Sequence, residues 1–257
     1  MFIASDSDSV MSAQKYERVT AGAELNVAVT LSRLGLKSQY FSRFGNDQLG
    51  SVMLADIEAE GVDISLVKRV DSFTGAMVRN SGKSQVVEIS YLRKGSAAST
   101  IEPQDILDSY ISSAKWLHTT GITCAISTTG AATVKYALSK AASLAIKSSF
   151  DLNIRRRLWS EADAKKVLAP LASNIELLIG GEDEYQVVFG SNEPKKILAE
   201  ANKRGCRIAV MTKGDQMIRY SIDGDYAEIN PPKVVTVDPV GSGDAFTGGV
   251  IAGLLNG

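Results

Sequence analysis

Val237-Asp238-Pro239-Val240-Gly241-Ser242-Gly243-Asp244-Ala245-Phe246 is the stretch around which the rest of the chain is organised. The β-branched residues Val234, Val235 and Val237 predict a buried strand ending at Asp238. Pro239 breaks that pattern, Gly241 and Gly243 permit a tight turn, and a helix rich in small residues is expected over 245–255. The first N–H groups of such a helix lack intrahelical partners and favour an anion. Asp244 falls among them, where the helix dipole favours its ionised form. Two readings fit: an Asp that caps a helix after a turn, or a general base that takes a proton from a hydroxyl attacking phosphorus.

Between residue 101 and that stretch, the pattern alternates strand and helix. Strands are expected over 115–119, 145–151, 175–179 and 207–212, with helices over 129–142, 161–172 and 193–204. Parallel strands joined by crossover helices give this alternation. The N-terminal part reads differently. Strand fragments are expected over 1–4 and 16–19, then a helix with Val27, Leu31 and Leu34 on its apolar face, stopped by Gly35. A strand at Tyr40-Phe41 leads to a second helix ending near Gly61. Residues 67–93 alternate like exposed strands. Gly82-Lys83-Ser84 imitates the end of a phosphate-binding Walker loop, but Met77 occupies the first required glycine and no strand-to-helix context surrounds it. A hairpin turn is the better reading.

Composition narrows the function classes. The 257 residues, 44% hydrophobic and 22% charged, suffice for one large α/β domain with a small appendage. A net charge of −1 without a long basic run gives no reason to expect nucleic acid or an anionic membrane as partner. No apolar run reaches the roughly 18 residues that span a bilayer, and no basic-then-apolar signal opens the chain; a cytoplasmic location is the expectation. Cys124 and Cys206 lack metal-ligand spacing and read as buried thiols. His118, the one histidine, lies inside an expected strand and reads as structural.

The stretch 238–244 resembles the Asp-Thr-x-Gly-Ala-Gly-Asp signature of the PfkB, or ribokinase-like, carbohydrate kinases, with Pro239 for the Thr and Ser242 for the Ala. Ala21-Gly22-Ala23-Glu24-Leu25-Asn26 resembles the family's N-terminal signature in the form typical of 2-keto-3-deoxygluconate kinases. The resemblance implies a Rossmann-like ribokinase fold: a central, mostly parallel sheet flanked by helices, with a small β-sheet lid. The lid would comprise 1–19 and 67–95, and the α/β core 20–66 and 96–257. It implies Asp244 as catalytic base, with Gly241, Ser242 and Gly243 holding phosphate charge, and Gly22, Asn26 and Asp238 toward the sugar. Read alone, Asn26 also suits a helix cap.

Two further segments carry substrate choice in the resemblance. Asp151-Leu152-Asn153-Ile154-Arg155-Arg156-Arg157-Leu158-Trp159 is similar to the Asp-x-Asn-x-Arg-x-x-Leu-Trp segment of the 2-keto-3-deoxygluconate kinases, which implies substrate roles for Asn153 and Arg155. Taken alone, three arginines also describe a solvated face. Tyr91-Leu92-Arg93 is similar to the Tyr-x-Arg with which that family's lid contacts an acid sugar. The chemistry agrees, because a guanidinium grips a carboxylate with two parallel hydrogen bonds. Met77 stands where some members carry a second lid tyrosine. For ATP, the resemblance implies a role for Thr212, Lys213 and Gly214, which equally fit a generic strand-to-turn. For Mg²⁺ it implies Glu184, acting through water, although Gly181 replaces the family's Asn.

These expectations combine into an ATP- and Mg²⁺-dependent sugar-acid kinase acting at the terminal hydroxyl of 2-keto-3-deoxygluconate. A kinase of a neutral sugar such as fructose or ribose is the first alternative, and a non-catalytic binding protein the second. Lid strands offer an edge for pairing two subunits. The family pattern also includes a first strand ending in Gly-Glu and C-terminal helices that these residues do not contain, so lowered stability and weak nucleotide binding are expected.

Overall fold

Two separate clusters of buried apolar side chains organise the chain. The computed structural model describes residues 1–81 and 88–257. In chain order these form β1 (Phe2–Ala4), β2 (Tyr16–Arg18), α1 (Ala23–Arg33), β3 (Arg43–Gly45), α2 (Gln48–Ala59), β4 (Lys68–Val70), β5 (Ala76–Arg79) and β6 (Ile89–Leu92). There follow α3 (Asp108–Ser112), β7 (Trp116–Thr120), α4 (Gly121–Ile126), α5 (Thr128–Ser143), β8 (Lys147–Asp151), α6 (Glu161–Leu171), β9 (Leu177–Gly181) and α7 (Glu182–Phe189). The series ends with α8 (Pro194–Lys203), β10 (Ile208–Thr212), β11 (Ile218–Ile222), β12 (Asp225–Ile229) and α9 (Ser242–Asn256). By compactness these fall into one unit of residues 1–101 and 236–257 and another of residues 102–235.

The second unit holds a six-stranded sheet in the order β12-β11-β10-β9-β8-β7. Strands β7 to β10 run parallel, and β11 and β12 are antiparallel additions. Parallel strands covered on both faces read as near-continuous apolar runs; in β9 and β10 Leu177, Leu178, Ile179, Ala209, Val210 and Met211 are all buried, whereas β8 also buries Ser148 and Ser149. Side-chain caps start the crossover helices: Ser127 accepts from Gly130 N–H at 2.9 Å at α5, and Ser160 from Asp163 N–H at 3.1 Å at α6. Strand–helix alternation is therefore observed as expected, with shifts of a residue or two at the ends.

In the first unit a four-stranded sheet runs β2-β1-β5-β6. Strands β1 and β5 are parallel and the outer pairings antiparallel. A parallel pair, β3–β4, lies beside α1 and α2, whose Leu25, Ala28, Met53 and Ile57 enclose Phe44. Asp47 caps α2 through Gly50 N–H at 2.6 Å and also accepts from Thr74 N–H at 2.6 Å, fastening the helix start to the chain before β5. Burial alone would raise the Asp47 pKa, but these donors hold it below the ordinary carboxylate range.

Several expectations are corrected. Residues 234–237 form no strand, and Val234, Val235 and Val237 are exposed at 76%, 93% and 91%. Pro231 and Pro232 just before them remove backbone donors, so the β-branched run stays extended without entering a ladder. Helix α1 begins at Ala23, so Asn26 stands within its first turn rather than at its cap, and Leu34 lies past its end and is exposed. The strand expected at Tyr40-Phe41 is instead β3. The Gly82-Lys83-Ser84 turn, and the strand residues expected over 85–87, lie outside the described residues. Among the described residues, no helix is long and apolar enough to cross a membrane.

Candidate active site

In the first unit, the site grows from the packing of α1 on α9. Gly248 makes that packing close: a Cβ there would lie 2.7 Å from Thr30 Cβ and Cγ2. One helical turn earlier on each helix stand Asn26 and Asp244. Asn26 Nδ2 donates to Asp244 Oδ2 at 2.6 Å, joining residues 218 apart in sequence. The amide's other end accepts weakly from Gly22 N–H at 3.4 Å, which fixes its orientation. Asp244 is the third residue of α9 and is buried, with 9% exposure.

The turn before α9 needs its glycine. Gly241 has φ +84°, left-handed backbone that a side chain would strain. Pro239 carbonyl accepts from Ser242 N–H at 3.2 Å and from Ser242 Oγ at 2.8 Å, and Gly241 carbonyl accepts from Ala245 N–H at 2.9 Å. Gly243 is exposed at the helix start. A carboxylate held by an amide therefore stands beside first-turn amides that favour negative charge, an arrangement suited to removing a proton next to a phosphoryl group.

Asp238 also has protein partners. Its Oδ1 accepts from Val240 N–H at 3.0 Å, and its Oδ2 pairs with the guanidinium of Arg79. Sequence reasoning missed Arg79. The only signal was its place in the alternating segment 75–79, which gave no sign that it points inward. Tyr91 lies in β6 and Arg93 just past its end, and the Arg93 guanidinium lies over the Tyr91 ring at 4.5 Å from the centroid.

The second unit carries the remaining predicted residues. Strand β8 ends at Asp151, whose Oδ1 accepts from Asn153 N–H at 3.1 Å. Asn153 is buried with φ +35°. The next residue, Ile154, donates its N–H to Glu184 Oε1 at 2.6 Å, and Gly181 N–H donates to Glu184 Oε2 at 2.8 Å. Glu184 thus ties the loop after β8 to the start of α7. Its enclosure raises the carboxyl pKa above the ordinary value despite these donors. Arg155 is exposed, while Arg156 bridges Glu161 and Asp183, each at 2.6 Å. After β10, Lys213 pairs with Glu182 at 3.0 Å, and Arg219 pairs with the same carboxylate at 2.7 Å. Thr212 Oγ1 donates to Gly180 carbonyl at 3.4 Å, and Gly214 turns the chain with φ +57°.

Among the described residues, no group of three or more His, Cys, Asp or Glu side chains gathers into a metal cage. Glu184, with both oxygens already accepting backbone N–H groups, fits a Mg²⁺ held mainly by phosphate oxygens and water rather than by protein. His118, half-buried on the edge strand β7, shares Ser149 Oγ with Trp116 Nε1, each at 2.8 Å, which fits the structural reading. Cys124 and Cys206 are buried free thiols, and burial pushes the Cys206 thiol up to about 12.

Residues 1–257 match the pfkB family of carbohydrate kinases. The chain is 31% identical over 261 aligned residues to the 2-dehydro-3-deoxygluconokinase of Bacillus subtilis, covering all of this chain and 81% of that protein. It is 29% identical to the fructokinase of Klebsiella pneumoniae over 91% of this chain and 76% of the relative. The crystal structure of the 2-dehydro-3-deoxygluconokinase of Thermotoga maritima is similar with a TM-score of 0.91 at 26% identity, over 99% of this chain and 84% of that one.

Proposed function

This chain belongs to the pfkB family of carbohydrate kinases and has its ribokinase-like α/β fold, and we propose that it phosphorylates 2-keto-3-deoxygluconate at the C6 hydroxyl with ATP as donor. The observation that carries the catalytic part is the Asn26–Asp244 hydrogen bond of 2.6 Å at the start of α9. Asn26 holds Oδ2 and so fixes the plane of the carboxylate. Asp244 takes the proton of the C6 hydroxyl as that oxygen bonds to the γ-phosphorus. The bond from phosphorus to the bridging oxygen of ADP breaks, leaving sugar phosphate, ADP and one proton. The Gly241–Ser242–Gly243 turn offsets charge on the transferred group with backbone N–H donors. Glu184 would hold a Mg²⁺ ion through water, and the chemistry that ion would supply when bound is to offset phosphate charge.

Substrate identity rests on the resemblance of 151–159 and 91–93, and on the similarity to the 2-dehydro-3-deoxygluconokinase of Bacillus subtilis. Arg93 and Arg155 are proposed to bind the acid's carboxylate, with Tyr91, Gly22, Asn153 and Asp238 toward the sugar. Thr212, Lys213 and Gly214 are proposed for the nucleotide; Lys213 would leave Glu182 to take part. The similarity to a fructokinase favours a second reading, a kinase of a neutral sugar. ADP release with Mg·ATP and 2-keto-3-deoxygluconate, fructose or ribose separates the two. Turnover with the sugar acid alone is expected; turnover with fructose or ribose alone would discard the acid assignment. A cytoplasmic location and pairing through the lid strands belong to the same proposal.

A further inference from the structure

We infer that Arg79 is a positioning residue for phosphoryl transfer, acting through Asp238 to set the turn that presents the first amides of α9 and Asp244. The inference rests on the kinase reading above and adds a residue from a different element. Arg79 closes β5 and is 2% exposed. Enclosing a guanidinium is costly unless its charge is matched. Its Nη2 donates to Asp238 Oδ2 and its Nη1 to the Asn80 carbonyl at 3.2 Å, while Nε has no partner among the described residues. An apolar side chain would fill the same space without an orphaned donor. The arginine is thus explained by its hold on Asp238, not by packing.

That hold reaches the turn directly. Asp238 carries Arg79 on one oxygen and Val240 N–H on the other, at 3.0 Å, so the carboxylate links β5 to the backbone entering the turn. The preceding residues 230–237 lie in no strand, and Val237 is 91% exposed. No ladder therefore sets the turn's register from the N-terminal side, and the ion pair supplies the anchor. From Val240 the constraint passes through Gly241 to Ser242, bonded back to Pro239, and so to Asp244. Lysine lacks the planar fork and cannot reproduce this grip.

The test compares wild type with Arg79→Met, Arg79→Lys, Asp238→Asn and the double variant Arg79→Met/Asp238→Asn. Steady-state kcat and sugar KM are read alongside amide hydrogen exchange over 238–244. Arg79→Met and Arg79→Lys are each expected to lower kcat about 10²-fold, as for a misplaced catalytic geometry, and to leave sugar KM within about threefold, whereas Asp238→Asn is expected to lower kcat at least as far and to raise sugar KM as well. The double variant is expected to lose no more than the worse single one, since both residues form one device. Exchange over 238–244 is expected to rise equally in Arg79→Met and Asp238→Asn, with the rest of the chain unchanged. Unchanged exchange at the turn, losses that multiply, or an effect of the Arg79 variants confined to KM would overturn the inference. If Arg79→Met fails to fold, Arg79→Lys and Asp238→Asn carry the same exchange comparison. If wild type turns over no sugar, the kinase reading fails, while the exchange data still decide whether Arg79 holds the turn.

Discussion

At the residue scale, the proposed chemistry turns on Asp244. Replacing it with Asn keeps the shape but removes the proton acceptor, so kcat is expected to fall by about 10²- to 10⁴-fold, the usual range for a general base. Sugar binding measured by calorimetry is expected to persist. Arg155 tests specificity instead: Arg155→Ala is expected to raise KM for the sugar acid by about tenfold or more, consistent with losing a charge-assisted hydrogen bond, and to leave any fructose turnover unchanged. Steady-state kinetics with both sugars checks it. The glycine turn and the loop after β8 were legible in sequence, because they are local patterns. Arg79 was not. Its partner Asp238 lies 159 residues away, and an arginine in an alternating strand carries no mark of which face it occupies.

At the element scale, the crossing of α1 and α9 delivers Asn26 to Asp244, and Gly248 sets how close the helices come. Gly248→Ala would place a methyl against Thr30 and press the helices apart. An overpacking cost of about 1–3 kcal/mol is expected in urea unfolding, together with a fall in kcat as the Asn26–Asp244 bond lengthens. Adding Thr30→Gly removes the opposing atoms; turnover is expected to recover even though glycine costs a helix about 1 kcal/mol. If the second change restores nothing, the crossing distance is not what holds Asp244. Helix positions themselves were readable from periodicity, but this contact was not, since a glycine inside a small-residue helix reads as a mere weakness. The run 234–237 shows the converse limit: β-branched residues mark extended backbone, whereas a strand also needs a pairing partner.

For the whole molecule, stability in the acid range is expected to report on His118. Burial in the sheet lowers its pKa from 6.5 to about 4. Above pH 6.5 the ring is neutral folded or unfolded, and its environment contributes fully. Between 6.5 and 4 only the unfolded chain takes the proton, so stability falls with pH by about 3 kcal/mol in all. Urea midpoints from pH 7 to 4 are expected to decline less steeply in His118→Asn than in wild type. The parallel sheet that carries this histidine was the most legible part of the chain, because each strand, turn and crossover helix has its own local signature. In the proposed reaction Asp244 removes the proton as phosphate passes to a sugar acid. The most direct measurement is transfer from γ-labelled ATP to 2-keto-3-deoxygluconate by wild type and Asp244→Asn under saturating substrates. Labelled sugar phosphate is expected from the wild type and almost none from the variant with the sugar still bound; equal labelling by both would rule out Asp244 as the base.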